Sequence, residues 1–129
     1  MGLPSAWPGN TFSERMRWFA DWCTPEPNSE HIRKWAHDIL LRSGAEFADQ
    51  LMLAGDVSDL DLATRLPEVK VPTLIVSGTL DPLVTEAALE FIHSQIPGSK
   101  VAMIDGAGHL PFMTRPEEVA AAINDFFAM

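Results

Sequence analysis

What most constrains this chain is a pair of short apolar runs separated by one helix-sized segment. Val69–Val76 (VKVPTLIV) and Lys100–Ile104 (KVAMI) are rich in β-branched residues. In the first run apolar residues fall at both odd and even positions, as in a strand whose sheet is covered by helices on both faces. Between the runs, Thr85 is placed to cap a helix reaching about Ile96, and Pro97-Gly98 ends it. A crossover of that length makes the two strands parallel and the connection right-handed. Pro116 sits where a first-turn proline belongs and opens a last helix over Pro116–Phe127. Val119, Ala120, Ile123, Phe126 and Phe127 form its expected inner stripe. Residues 69–129 thus read strand–helix–strand–helix.

Upstream the pattern is helical. Residues 1–11 form an irregular lead-in around Trp7. Ser13 reads as the N-cap of a helix to about Trp22, with Glu14 in its first turn. Met16, Phe19 and Ala20 share one face of it, and Trp18 and Trp22 share another. Thr24–Asn28 carries Pro25 and Pro27 and reads as a loop. Ser29 caps a second helix whose stripe is Ile32, Trp35, Ala36, Ile39 and Leu40, ended by Gly44. A third helix is expected over Ala45–Ala54, with Phe47 and Leu51 inward and Gly55 ending it. Asp56–Leu66 is acidic and reads as loop plus one helical turn, closed by Pro67. Two units result, a helical segment over 1–68 and a βαβα unit over 69–129. Two parallel strands do not make a self-sufficient sheet, so the strand at 71–76 calls for a neighbour not encoded here.

In parallel sheets, sites form beyond the carboxyl ends of the strands. Asp81 follows Val76 by five residues, and His109 follows Ile104 by five. Parallel neighbours lie ~4.8 Å apart, so loops leaving the same ends can bring an acid and an imidazole together. A carboxylate on one ring nitrogen fixes the tautomer, and the other nitrogen can then take the proton of a nucleophilic hydroxyl. Gly106 and Gly108 allow a tight loop around His109. Taken singly, Asp81 before Pro82 is a routine turn residue, and His109 a histidine satisfying a buried carbonyl. The pair at matching strand ends favours the chemical reading. Cys23 reads as a small buried hydrophobe, with nothing in the sequence to place it beside His109. Ser77, in VSG, reads as structural. His31, His37 and His93 share no helix face, read as solvated, and suggest no metal site.

The runs VPTLIVSGTLDPLVT and IPGSKVAMIDGAGHLPFMTRPEEV resemble the C-terminal part of the α/β-hydrolase superfamily. The helices over 12–66 are similar to the cap or lid of its haloperoxidase, enol-lactonase and esterase-like members. The resemblance implies an incomplete α/β-hydrolase fold, with 1–68 as the helical cap and 69–129 as the last part of the core. It implies triad roles for Asp81 and His109, the acid orienting the base. It implies a pocket between cap and loops, with Leu83 and Leu110 as apolar lining, where Trp18, Trp22 and Trp35 either line the cleft or pack the cap onto the core. The implied function is serine-type hydrolysis of an ester- or lactone-like carbonyl, with no cofactor. The family's G-x-S-x-G nucleophile elbow and HG-type oxyanion loop do not occur in this sequence. Two alternatives stand beside that reading: a half-fold acting through assembly, and an acyltransferase-type or other non-hydrolytic member, since one fold hosts many chemistries. Partners follow accordingly: a small-molecule substrate if the site is completed, and a second copy or partner chain at the edge strand 71–76.

Charge narrows the rest. Eighteen acidic residues against nine basic give a net charge of −9, with no Lys/Arg cluster. That argues against nucleic acid or an anionic membrane as partner. No run spans a bilayer, no leader pattern follows Met1, and the single cysteine permits no internal disulfide. A reducing, cytoplasmic setting is the expectation.

Overall fold

The computed structural model describes residues 8–46 and 62–128. Helix α1 spans Phe12–Cys23 and α2 spans Glu30–Ser43, and the two pack on each other. A single turn, α3 (Leu62–Arg65), runs into a 3₁₀ turn over Leu66–Glu68. Then come β1 (Leu74–Gly78), α4 (Glu86–Gln95), β2 (Lys100–Ile104), α5 (Pro111–Thr114) and α6 (Pro116–Phe127). β1 and β2 pair in parallel, with Leu74 opposite Lys100 and Gly78 opposite Ile104. The expected α/β architecture, a helical segment followed by a parallel βαβα unit, is present.

Capping chemistry explains several of the bounds. The start of α1 is set by Thr11, not Ser13. Thr11 Oγ1 accepts from the Glu14 N–H, and the Glu14 carboxylate accepts from the Asn10 and Thr11 N–H groups at 2.8 and 3.0 Å. This reciprocal capping box is worth ~1 kcal/mol for the Thr side chain alone. The backbone N–H of Asn10 foremost, and then that of Thr11, hold the Glu14 carboxyl below its ordinary range. Thr85 caps α4 as expected, accepting from Ala88 N. The bounds of β2 and α6 agree with the sequence reading, and Pro116 lies in the first turn of α6. β1 begins at Leu74 rather than Val69. Pro72 has no N–H to give a ladder, and the first tie to β2 is made by the Thr73 carbonyl, which accepts from Lys100 N at 2.9 Å. Pro67 lies inside the 3₁₀ turn and does not close it. The third helix expected over 45–54 falls mostly outside the described residues.

A small core sits between the sheet and α6, where Ile104, Ala107 and Val119 are buried and Val76 packs against them. The opposite face carries Val101 and Met103, which share a groove with Leu89 of α4. Side chains alternate across a strand, so α4 and α6 lie on opposite faces of the sheet. The inner stripe expected of α6 is only partly covered. Val119 is buried, but Ile123 is 40% and Phe127 79% exposed. Two strands at ~4.8 Å spacing make a sheet too narrow to cover a full helical stripe. For the same reason Val101 and Met103 remain about two-fifths exposed.

Candidate active site

The ends of β1 and β2 are sewn together by backbone. Thr79 N donates to Ile104 O at 3.0 Å, and Leu80 N donates to Ala107 O at 2.8 Å. Thr79 Oγ1 also accepts from Gly106 N at 2.9 Å. So close an approach requires Gly78, because a Cβ there would lie far inside van der Waals contact with the carbonyl oxygens of Ala107 and Gly108. Gly106 itself adopts φ 66°, a conformation that favours glycine.

These loops deliver the acid and the imidazole. Asp81 Oδ1 accepts from the Leu83 and Val84 N–H groups at 2.8 and 3.0 Å, forming an Asx-type turn. Oδ2 is thereby aimed outward, and it accepts from His109 Nδ1 at 3.0 Å. The Asp81 side chain is only 5% exposed, whereas that of His109 is 36% exposed. No hydrogen bond among the described residues engages His109 Nε2. The ring is therefore held by one nitrogen with the other available.

A second side of the His109 loop is held by the helical segment. His109 N donates to Cys23 O at 2.8 Å, and Gly108 N donates to a carboxylate oxygen of Glu26. Glu26 is fully buried, and its Oε1 also accepts from Thr114 Oγ1 at 2.7 Å. Arg33 of α2 donates through Nη1 to the carbonyls of Thr24 and Glu26 at 2.7 and 3.1 Å, fixing that stretch.

Beside the histidine is an apolar cavity of about 200 Å³, lined by Phe19, Ala20, Cys23, Trp35, Ile39 and Leu110 together with His109. Leu110 is thus at the cavity, while Leu83 serves Asp81 through its backbone. Trp18 and Trp22 are not part of this wall. Their rings stack on each other at 5.1 Å, on the face of α1 away from Met16 and Ala20. Of the three tryptophans considered as lining, Trp35 is at the cavity, together with Phe19. His37, read as solvated, is buried, with Nε2 3.1 Å from Ser13 O. His93 and His31 are exposed, the former bonded to Ser99 Oγ at 2.9 Å. Among the described residues no cluster of His, Cys, Asp and Glu could hold a metal ion.

Cys23 is buried, as a small hydrophobe would be, and it lies beside His109, a neighbour that nothing in the sequence indicates. Burial pushes its thiol up to about 12, and the negative charge of Asp81 adds to the effect. The thiolate is the reactive form, so this thiol is inert at neutral pH. In the unfolded chain the thiol ionises near its ordinary value of 9, so this group's contribution to stability is present below that pH and lost as pH rises toward 12. Iodoacetamide at pH 8 is expected to leave Cys23 unmodified in the native protein and to alkylate it readily in urea. Native labelling at the rate of the unfolded chain would contradict this burial.

Glu26 and Gly78 were not legible as site residues. Glu26 stands between two prolines in a loop, and nothing local links it to residue 108. Gly78 matters only because another loop crosses it.

A parallel βαβα unit whose strand-end loops pair a carboxylate with an imidazole, next to a helical pair, defines the class as α/β with a strand-end site. Residues 2–122 match the alpha/beta hydrolase family, and the chain belongs to that family. It is 30% identical over 102 residues to pimeloyl-[acyl-carrier protein] methyl ester esterase of Aeromonas salmonicida (strain A449), a match covering 76% of this chain and 40% of that protein. It is 35% identical over 72 residues to proline iminopeptidase of Lactobacillus helveticus (strain DPC 4571), covering 56% of this chain and 24% of the relative. The solved bromoperoxidase from Bacillus anthracis superposes with a TM-score of 0.76 at 28% identity, over 93% of this chain and 45% of that one. The chain therefore spans 40% and 24% of the length of these two curated relatives. No helix among the described residues is long and apolar enough to cross a membrane.

Proposed function

We propose that Asp81 and His109 are the acid and base of a serine-hydrolase triad acting on ester- or lactone-like carbonyls, its nucleophile coming from outside residues 1–129. The observation that carries this is the 3.0 Å Nδ1–Asp81 bond, with Nε2 unengaged among the described residues. Asp81 fixes the tautomer in which Nε2 is the acceptor. Nε2 takes the proton of an attacking serine, and Asp81 steadies the imidazolium so formed. Nε2 then returns the proton to the leaving alcohol, and the cycle repeats in reverse with water. The neighbouring cavity favours an apolar group of the substrate. At about 200 Å³ it is smaller than the ~300–1,000 Å³ of a complete ligand pocket, so it suits one arm of the substrate. The esterase named among the relatives supports this class, and the peptidase supports a carbonyl substrate more broadly.

The test is hydrolysis of p-nitrophenyl acyl esters by two polypeptides. The 129-residue chain is expected to show no turnover above background. Extended in frame through a G-x-S-x-G elbow, it is expected to turn over, with His109→Ala removing at least 99.9% of the rate. Turnover by the short chain that His109→Ala abolishes would place a nucleophile inside it and overturn the division proposed here. An acyltransferase reading is separated by product analysis, because transfer to an added alcohol would then exceed hydrolysis.

A second reading, assembly through the sheet edge, rests on a different observation. β1 has one partner strand among the described residues, and Val71 beside it is 68% exposed. An unpaired edge of this kind is a pairing template for a second copy or partner chain. Light scattering of the chain at high concentration gives a dimer mass if this holds and a monomer mass if it does not.

A further inference from the structure

We infer that Glu26 is a positioning residue for His109, the point at which the helical segment sets the geometry of the proposed base. This rests on the triad reading above. Two consecutive amides, Gly108 N–H and His109 N–H, both donate to the stretch Cys23–Glu26. The first acceptor is a side-chain oxygen, Glu26 Oε1, reached from a residue 82 positions away. Glu26 is wholly buried, so its carboxylate is not there for solubility. Burial of a carboxylate is costly unless its oxygens are bonded. Here Oε1 is bonded twice, to Gly108 N and Thr114 Oγ1, while Oε2 has no partner among the described residues. Keeping so costly a group is explained by what it grips, the residue directly before the histidine.

The fit around Gly108 is tight. A Cβ there would lie 2.5 Å from both Cys23 O and Pro25 Cδ, so the stretch packs straight onto the loop backbone. That stretch is fixed in turn by Arg33 of α2. Asp81 therefore determines how the imidazole is turned, and Glu26 determines where its backbone stands. Thr114 ties the same carboxylate to the turn that follows the histidine, so the loop is gripped on both sides of residue 109.

The experiment is nitrogen and proton NMR of the His109 ring in the 129-residue chain. The wild type is expected to show a downfield Nδ1–H proton that Asp81→Asn removes. Glu26→Ala is expected to broaden that proton beyond detection and to mix the two ring tautomers. Glu26→Gln, which keeps an acceptor at Oε1, is expected to restore the wild-type signature. A merely structural contribution would lower stability without touching the ring signature or showing rescue. If the Asp81-dependent proton is present and Glu26→Ala leaves it unchanged, the role assigned to Glu26 is wrong and the triad reading survives. If the wild type shows no such proton, both fall. Should Glu26→Ala unfold the chain, Thr114→Val decides. Removing one bond to the same oxygen is expected to speed exchange of the Nδ1 proton with water at least threefold, and an unchanged rate overturns the assignment.

Discussion

Replacing Asp81 by Asn is expected to lower turnover on the order of 10⁴-fold in a polypeptide carrying both this pair and a serine elbow. The reason is a tautomer, not a lost fold. The carbonyl oxygen of Asn can still accept from the Leu83 and Val84 N–H groups, which Asp81 Oδ1 now satisfies at 2.8 and 3.0 Å. The amide NH₂ then faces His109 Nδ1, where a carboxylate oxygen stood at 3.0 Å. Two donors cannot meet, so Nδ1 gives up its hydrogen and Nε2 carries it instead. A protonated Nε2 cannot accept from a serine hydroxyl. At ~1.4 kcal/mol per factor of ten, the loss is about 5.5 kcal/mol of barrier. It is checked by kcat against pH for activity and by the nitrogen shifts of the ring for the tautomer. A variant that keeps wild-type kcat would show that Asp81 is a turn residue and nothing more.

Gly78→Ala is expected to be the most disruptive single methyl in the sheet. The atoms it meets are the backbone of Ala107 and Gly108, so no rotamer change can relieve the clash. Over-packing of a well-fitted site costs ~1–3 kcal/mol, and more where only backbone can move. The loop after β2 must retreat, stretching the Leu80–Ala107 bond of 2.8 Å and drawing His109 from Asp81. Urea unfolding should show a lower midpoint at unchanged slope. The downfield ring proton should vanish with it. Unchanged stability would mean that the two strand ends are not in contact in solution.

The local pattern carried much of this. β2 and α6 were legible to the residue, because each is bounded by its own turn signals, Pro97-Gly98 before the strand and Pro116 at the helix start. Asp81 and His109 were legible as a pair because the topology of a parallel sheet brings loops at the same strand ends together. What was not legible depends on contacts between distant residues. The cap of α1 is Thr11, since its partner Glu14 completes the reciprocal pair, while Ser13 turns to His37 at 3.4 Å. Trp18 and Trp22 had the spacing of a shared face, but that face is not the one turned to His109. Cys23 and Glu26 gained their places only through residues 108 and 109, which no periodicity connects to them.

The bonds from Glu26 to Gly108 and Thr114 join residues 82 and 88 positions apart in a chain of 129. The two strands, by comparison, pair across 26 residues. Each doubling of a loop adds only ~0.6 kcal/mol of closure entropy, so the long connection is cheap at equilibrium. It acts on the timetable instead, because contacts of high sequence separation are the slow ones to pair. The βαβ unit can form first and bring Asp81 to His109 in outline. The histidine reaches its final position only when Cys23–Glu26 has docked on its loop, so the placing of His109 against Asp81 waits on the slower of these contacts.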